Sequence, residues 1–262
     1  MPRRSDTRKD GFAPQRKRLS RLRTSMRESG HGALLITNPV DIRYLTSFSG
    51  EDSFAIVTPR TLYVLSDFRF NEQLDAIGPI ATVVLRTGLM AETVKSLVRD
   101  LGLDALAIQS EHMTVATRDA YRKKLRPTKL VDTTGIMRDL RVVKDATEIE
   151  SIRKAVRIQQ RAMRATFEEL GTGVRETEVV ALLEYTMKSM GSEGPAFGTM
   201  AAVGPNAAVP HAVAGKKKTA KNRPLLIDCG ATVDGYRSDM TRVFSFGGWT
   251  KKMGEIYRIV LE

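Results

Sequence analysis

The stretch LLIDCGATVDGYRSDMTRVFSFGG, residues 225–248, has the pattern of a β-hairpin in the second half of the chain. Two apolar runs flank the dipeptide Asp234-Gly235, and Asp-Gly between such runs predicts a β-hairpin with a tight turn. The loop of this hairpin centres either on Val233-Asp234 or on Asp234-Gly235. The spacing does not decide between these two registers.

Two carboxylates, Asp228 and Asp239, fall in the two predicted strands of this hairpin. Because side chains alternate along a strand, both registers place the pair on one face, directly opposed in the first and diagonal in the second. Like charges at such distances need a proton or a cation, and carboxylate oxygens suit Mg²⁺, Mn²⁺ or Zn²⁺. The pair therefore predicts a metal site, unless one or both aspartates lie at the exposed end of the hairpin. The neighbouring Cys229 points to the opposite face, where core packing is expected.

The composition is that of a globular protein, with 42% hydrophobic and 27% charged residues in a chain of 262. No apolar run is long enough to predict a membrane span. The single cysteine fits a reducing cytoplasm.

The net charge is +12, and much of it lies near the N-terminus, where the composition of residues 1–13 predicts a disordered basic tail. A solvated tail is favoured over a nucleic-acid-binding arm, because no aromatic residues alternate with the basic ones.

Hydrophobic patterns divide the rest of the chain into an α/β domain over residues 14–140 and a second domain over residues 141–262. In the first domain the patterns predict helices over 14–29, 91–101 and 114–125 and strands over 32–37, 54–58, 61–66, 105–110 and 129–134. The second and third of these strands are predicted to form a hairpin. The second domain begins with two predicted helices, which end before Gly171 and Gly191, and continues with β-strands.

His211 lies in the loop sequence PNAAVPHAVAG, which leads towards the aspartate hairpin. A lone histidine is more often structural, but this context favours a proton donor for bond cleavage. The sequence contains no GxSxG, HExxH, CxxC or P-loop motif.

Together these segments resemble the Xaa-Pro aminopeptidase, prolidase and creatinase family of metallopeptidases, which has a "pita-bread" catalytic domain. The resemblance covers almost the whole chain after residue 13. The N-terminal part carries the "RYL" and "D-x-R-[YF]" motifs at residues 43–45 and 67–70. The other similar segments are VVKDATEIESIRKA (142–155), GPNAAVPHA (204–212) and DCGATVDGYRSDMTR (228–242).

The resemblance implies an α/β N-terminal creatinase-like domain followed by the first half of an α+β pita-bread catalytic domain. It implies two divalent ions, manganese first and cobalt or zinc as alternatives, that share a hydroxide which attacks the carbonyl before a proline. Asp228 and Asp239 would be the first two metal ligands, and His211 would contact the scissile peptide. Tyr236 and Thr241 would support the aspartates. The expected protein is a cytoplasmic homodimer that cleaves proline-containing peptides and does not bind membranes or nucleic acid.

The family's other three metal ligands, a histidine and two glutamates, come from the second half of the catalytic domain. No matching segment precedes Glu262, so the chain is expected to be truncated within that domain. Two alternatives remain. One is a non-catalytic, peptidase-like binding module or inactive fragment. The other is the creatinase branch, which hydrolyses a C–N bond without metal. The presence of both Asp228 and Asp239 argues against the binding module and against the creatinase branch.

Overall fold

The computed structural model describes residues 11–262, and the chain divides into two compact units between Asp145 and Ala146. The predicted disordered tail over residues 1–13 lies outside the described residues except for its last three. Of these three, Ala13 begins the first helix.

Within residues 11–145, helices surround one mixed sheet. The helices are α1 (Ala13–Glu28), α2 (Pro39–Thr46), α3 (Asn71–Ile77), α4 (Met90–Asp100), α5 (Val115–Lys124) and α6 (Ile136–Val142). The strands are β1 (Leu34–Ile36), β2 (Phe54–Val57), β3 (Leu62–Ser66), β4 (Thr82–Leu85), β5 (Ala105–Gln109) and β6 (Lys129–Thr133). The order is β4-β3-β2-β1-β5-β6. β2 pairs antiparallel with β1 and β3, whereas the other pairs are parallel. The predicted hairpin of the second and third strands is confirmed as β2–β3.

Helices cover both faces of this sheet, which explains why its central strands are continuous apolar runs in the sequence. Leu34 and Ile36 of β1 belong to one core, which includes Leu22 of α1. Leu35 points to the other side and belongs to a second core, which includes Val94 of α4. The sheet is therefore the middle layer of an α/β/α arrangement.

The RYL motif at residues 43–45 has a structural role in this unit. Tyr44 and Leu45 are buried, and the Arg18 guanidinium lies 4.6 Å from the centroid of the Tyr44 ring. Arg18 Nη1 donates to the Tyr44 carbonyl at 2.9 Å, and the Tyr44 hydroxyl donates to the Leu140 carbonyl at 3.3 Å. The motif thus joins α1, α2 and α6.

The D-x-R-[YF] motif fixes the end of β3 through Asp67, which is buried. Arg69 donates to Asp67 from Nε at 2.8 Å and from Nη2 at 2.7 Å, and Arg86 Nη2 donates at 2.6 Å. The hydrogen bonds from Arg69 lower the pKa of the Asp67 carboxyl to about 2, and the charges of both arginines add to this effect. Asp67 therefore stays ionised and ties β3 to the segment after β4.

The sequence patterns did not predict α2, α3, α6 or β4. β4 is an edge strand without a buried residue, so its pattern is weak. Asn38 caps the N-terminus of α2 by accepting from the Val40 amide through its side chain, and Pro39 is the first residue of the helix. Asn-Pro is a recognised helix start, so this helix was predictable in principle.

The second unit is α+β. Its helices are α7 (Ala146–Glu169), α8 (Glu176–Ser189) and α9 (Lys251–Leu261). Its strands are β7 (Met200–Val203), β8 (Pro224–Cys229), β9 (Thr232–Val233), β10 (Tyr236–Arg237) and β11 (Met240–Ser245). β11, β8 and β7 form an antiparallel sheet in that order, and β9 pairs with β10.

The central strand β8 separates the core from an open face. Leu225, Ile227 and Cys229 are buried in the core that includes residues of α7 and α8. The alternate residues, which include Asp228, are half-buried on the other face. β8 therefore presents Asp228 away from the core, as the period-two alternation of a strand requires.

Aromatic stacking joins α7 to the sheet from the core side. The Phe167 ring stacks on Phe244 at 4.3 Å between centroids and on Phe246 at 5.2 Å.

Among the described residues, no helix has the length and hydropathy needed to cross a membrane.

Candidate metal centre

The hairpin turn has the second of the two registers left open by the sequence. Val233 pairs with Tyr236, so the loop consists of Asp234 and Gly235. Their φ angles are 51° and 79°, and positive φ at both loop residues defines a type I′ turn. Gly235 adopts this conformation without steric cost.

This register makes Asp228 and Asp239 diagonal neighbours. Asp228 of β8 pairs with Thr241 of β11, two residues beyond Asp239. The Thr241 hydroxyl donates to Asp228 Oδ1 at 2.9 Å. Asp228 is half-buried and Asp239 is exposed. The predicted supporting residue Thr241 is therefore in direct contact with the first candidate ligand.

The charges of both carboxylates affect the pKa of the buried Cys229 thiol. Burial, and to a smaller extent the charges of Asp228 and Asp239, raise the pKa of the Cys229 thiol to about 11, although a hydrogen bond from Gln159 acts to lower it. Gln159 of α7 is itself buried and donates from Nε2 to the Cys229 carbonyl. This places both aspartates within electrostatic range of the end of β8.

A close backbone approach fixes the segment next to Asp239. The Ser238 hydroxyl accepts from the Ala231 amide at 3.0 Å, and the Ser238 amide donates to the Ala231 carbonyl at 3.0 Å. A Cβ atom at Gly230 would lie 2.0 Å from the Ser238 carbonyl oxygen. Glycine is therefore required at position 230 for the two strands to approach as they do.

Helix α7 holds the tip of the hairpin. The Tyr236 hydroxyl donates to Glu148 Oε1 at 3.0 Å, and the Ser151 hydroxyl donates to Asp234 Oδ2 at 2.8 Å. Tyr236, predicted to lie near the aspartates, thus has its hydroxyl on a buried glutamate of α7. Glu148 lies in the first turn of α7. The sequence pattern does not show this contact, because the two residues are 88 positions apart.

His211 is exposed on the loop that follows β7 and the 3₁₀ turn Gly204–Ala208. This loop leaves β7 at Val203, which pairs with Leu225. That pair lies three residues along β8 from Asp228, about 10 Å at the rise of a strand. The structure therefore brings Asp228 and Thr241 together and places His211 on a separate loop.

The donor set suits part of a divalent-metal site. Two carboxylates lie on one face, and a hydroxyl orients one of them, which is the chemistry that Mg²⁺ and Mn²⁺ favour. Within residues 11–262, no group of three or more His, Cys, Asp or Glu side chains lies close enough to hold a metal ion. The chemistry of Asp228 and Asp239 fits that of ligands to a divalent ion.

Comparison with known proteins identifies the family. The model of metallopeptidase family M24 matches residues 150–262, and that of the creatinase/prolidase N-terminal domain matches residues 18–143. The chain is 42% identical to the Xaa-Pro dipeptidase of Pyrococcus furiosus over 141 residues, which are 54% of this chain and 40% of that protein.

Solved structures agree with this assignment. The X-Pro aminopeptidase from Thermotoga maritima superposes with a TM-score of 0.84 at 31% identity, over 91% of this chain and 69% of that one. The Xaa-Pro dipeptidase from Bacillus anthracis gives 0.88 at 29% identity, over 95% and 70%.

The chain belongs to metallopeptidase family M24 and carries a creatinase-type N-terminal domain followed by part of the catalytic domain. The predicted family and fold class are confirmed.

Proposed function

We propose that the protein hydrolyses the peptide bond before proline in a divalent-metal-dependent reaction. The observation that carries the proposal is the placement of Asp228 and Asp239 on the open face of the hairpin, with Thr241 bonded to Asp228. The relatives named Xaa-Pro dipeptidase and X-Pro aminopeptidase support the substrate class.

Each residue has a distinct part in this proposal. Asp228 and Asp239 would hold a pair of divalent ions, manganese first, and Thr241 keeps the Asp228 carboxylate oriented towards them. When bound, the ions would supply Lewis-acid polarisation of the carbonyl and an activated water. His211 would contact the scissile peptide and pass a proton to the leaving proline nitrogen.

Matched peptides test the proposal. The full-length protein loaded with Mn²⁺ is incubated with Ala-Pro and Ala-Ala dipeptides and with Ala-Pro-Ala and Ala-Ala-Ala tripeptides. We expect cleavage of the proline peptides alone, with loss of activity on chelation. Asp228→Asn and Asp239→Asn should each abolish most of it, and Asp234→Asn, at the hairpin tip, serves as the control.

Two other results would replace the proposal. A Mn²⁺-loaded protein that cleaves no proline peptide would favour the non-catalytic binding module. Metal-independent turnover of creatine would favour the creatinase branch.

The homodimeric state and the cytoplasmic location stay predictions. Light scattering of the purified protein tests the first, and cell fractionation tests the second.

A further inference from the structure

Glu176, which the proposed mechanism does not use, is a buried carboxylate at the start of α8, with 1% of its surface exposed. Burying an ionised carboxylate is costly unless hydrogen bonds compensate for lost water. The N-terminus of a helix also favours negative charge. The partners of this carboxylate therefore indicate what it stabilises.

The hydrogen-bond donors to Glu176 come from three residues. The Val203 amide donates to Oε1 at 2.7 Å, and the Gly215 amide donates to Oε2 at 2.8 Å. Asn206 Nδ2 lies between them, at 3.0 Å from Oε1 and 3.2 Å from Oε2. Each carboxylate oxygen thus accepts from one backbone amide and from the shared side-chain amide.

These donors lie at the two ends of one segment. Val203 is the last residue of β7, and Gly215 closes the loop over residues 204–215, near whose middle lies His211. The backbone of α8 adds to the closure, because the Thr177 amide donates to the Gly215 carbonyl at 3.3 Å. One carboxylate therefore joins the beginning and the end of the loop that carries His211.

We infer that Glu176 is the positioning residue of the His211 loop. His211 itself is exposed. Its position therefore depends on how firmly the ends of the loop are held. The inference rests on the proposed function for its catalytic consequence, because it assumes that His211 contacts the substrate. The hydrogen bonds to Glu176 do not depend on that assumption.

Glu176→Gln is the test variant. Glutamine keeps one acceptor oxygen, but its NH₂ group cannot accept. The amide of either Val203 or Gly215 thus loses its acceptor and faces the NH₂ group of the glutamine. The matched control is Glu178→Gln, two residues further along α8, where the half-exposed side chain accepts from the Arg175 amide at 2.7 Å. Glutamine can keep that hydrogen bond and loses an exposed ion-pair contact with Arg175 at 3.9 Å.

Hydrogen exchange measured by mass spectrometry gives a readout independent of activity. In the full-length protein, we expect Glu176→Gln to speed amide exchange over residues 204–215 while leaving exchange in β8 unchanged. Glu178→Gln should match the wild type. If Glu176→Gln leaves exchange over residues 204–215 unchanged, the inference is wrong, whatever the activity of the variant.

Peptide hydrolysis tests the consequence for His211. A displacement of about 1 Å in a catalytic group can cost about 100-fold in rate, so Glu176→Gln should lower kcat by up to about that factor with little change in KM. The double variant with His211→Ala should be no slower than His211→Ala alone. Losses that multiply would show that Glu176 acts separately from His211 and would overturn the inference.

Two further variants separate the possible failures. If His211→Ala retains full activity, the proposed role of His211 fails, and the positioning role fails with it. If the inference alone fails, His211→Ala is impaired, but Glu176→Gln leaves amide exchange over residues 204–215 unchanged.

If Glu176→Gln does not fold, Asn206→Ala is used in its place. This variant removes one hydrogen-bond donor without leaving a buried charge uncompensated. It should also speed exchange over residues 204–215, and unchanged exchange would again refute the inference.

Discussion

Replacement of Thr241 by valine isolates the hydrogen bond that orients Asp228. The substitution removes the hydroxyl that donates to Oδ1 at 2.9 Å and keeps a β-branched side chain in β11. Because Thr and Val both favour strands, the pairing of β11 with β8 should persist. Without metal, the free energy of unfolding should change by no more than about 0.5 kcal/mol, as at other exposed positions.

The expected effect is on metal binding. Loss of a residue that hydrogen-bonds a metal ligand typically weakens metal affinity about 10- to 100-fold. Thr241 is exposed, so water replaces part of the lost bond, and we expect the lower figure. A 10-fold loss equals about 1.4 kcal/mol, slightly below the usual contribution of a hydrogen bond to a charged group.

The assay is a titration with Mn²⁺, followed by calorimetry and by recovery of peptidase activity in the full-length protein. Thr241→Ser is the control, because it keeps the hydroxyl and loses the methyl group. Thr241→Ser should bind Mn²⁺ nearly as the wild type does, and Thr241→Val should require about 10-fold more metal. Equal affinities for the two variants would refute the assigned role of the hydroxyl.

Three other changes test the fold that positions the site. Asp67→Asn should destabilise the protein at neutral pH, and in acid unfolding the difference from wild type should shrink as pH falls from about 4 towards 2, because Asp67 has its pKa lowered from 3.8 to about 2 by Arg69. Phe167→Ala should lower the free energy of unfolding in urea by about 2–3 kcal/mol, because the half-buried ring loses two stacked partners. Gly230→Ala should cost about 1–3 kcal/mol in the same assay, because the added methyl group meets the Ser238 carbonyl.

Each of these changes has its own control. A stability difference for Asp67→Asn that stays constant down to pH 2 would show that the ion pairs with Arg69 and Arg86 are not its source. Phe167→Leu should recover most of the burial but not the stacking, so equal losses for the leucine and alanine variants would contradict the assigned packing. Gly254→Ala, where an added Cβ has open space, should be tolerated.

The hairpin shows how much of the site is predictable from sequence. The Asp234-Gly235 dipeptide predicts a hairpin turn at this point of the chain, and strand alternation then places Asp228 and Asp239 on one face in either register. These are local rules, so the sequence defined both the element and the face. The choice between the two registers needed the structure, because neighbouring turn residues fit both loop centres.

The supporting contacts were not predictable in the same way. In the sequence, Glu176 and Glu148 are acidic residues near the starts of helices, where such residues are common. Their partners lie at separations of 27 to 39 residues for Glu176 and 88 for Glu148. Burial of a carboxylate depends on how distant segments pack, and a single sequence does not show that.

The manganese content of the full-length protein after equilibrium dialysis decides whether Asp228 and Asp239 bind metal. Wild type is compared with the Asp228→Asn/Asp239→Asn double variant, with unfolding in chelator as the check on folding. We expect the wild type to retain stoichiometric Mn²⁺ and the double variant to lose it while unfolding like the wild type. Equal manganese in both proteins would contradict the assignment of these two aspartates as metal ligands.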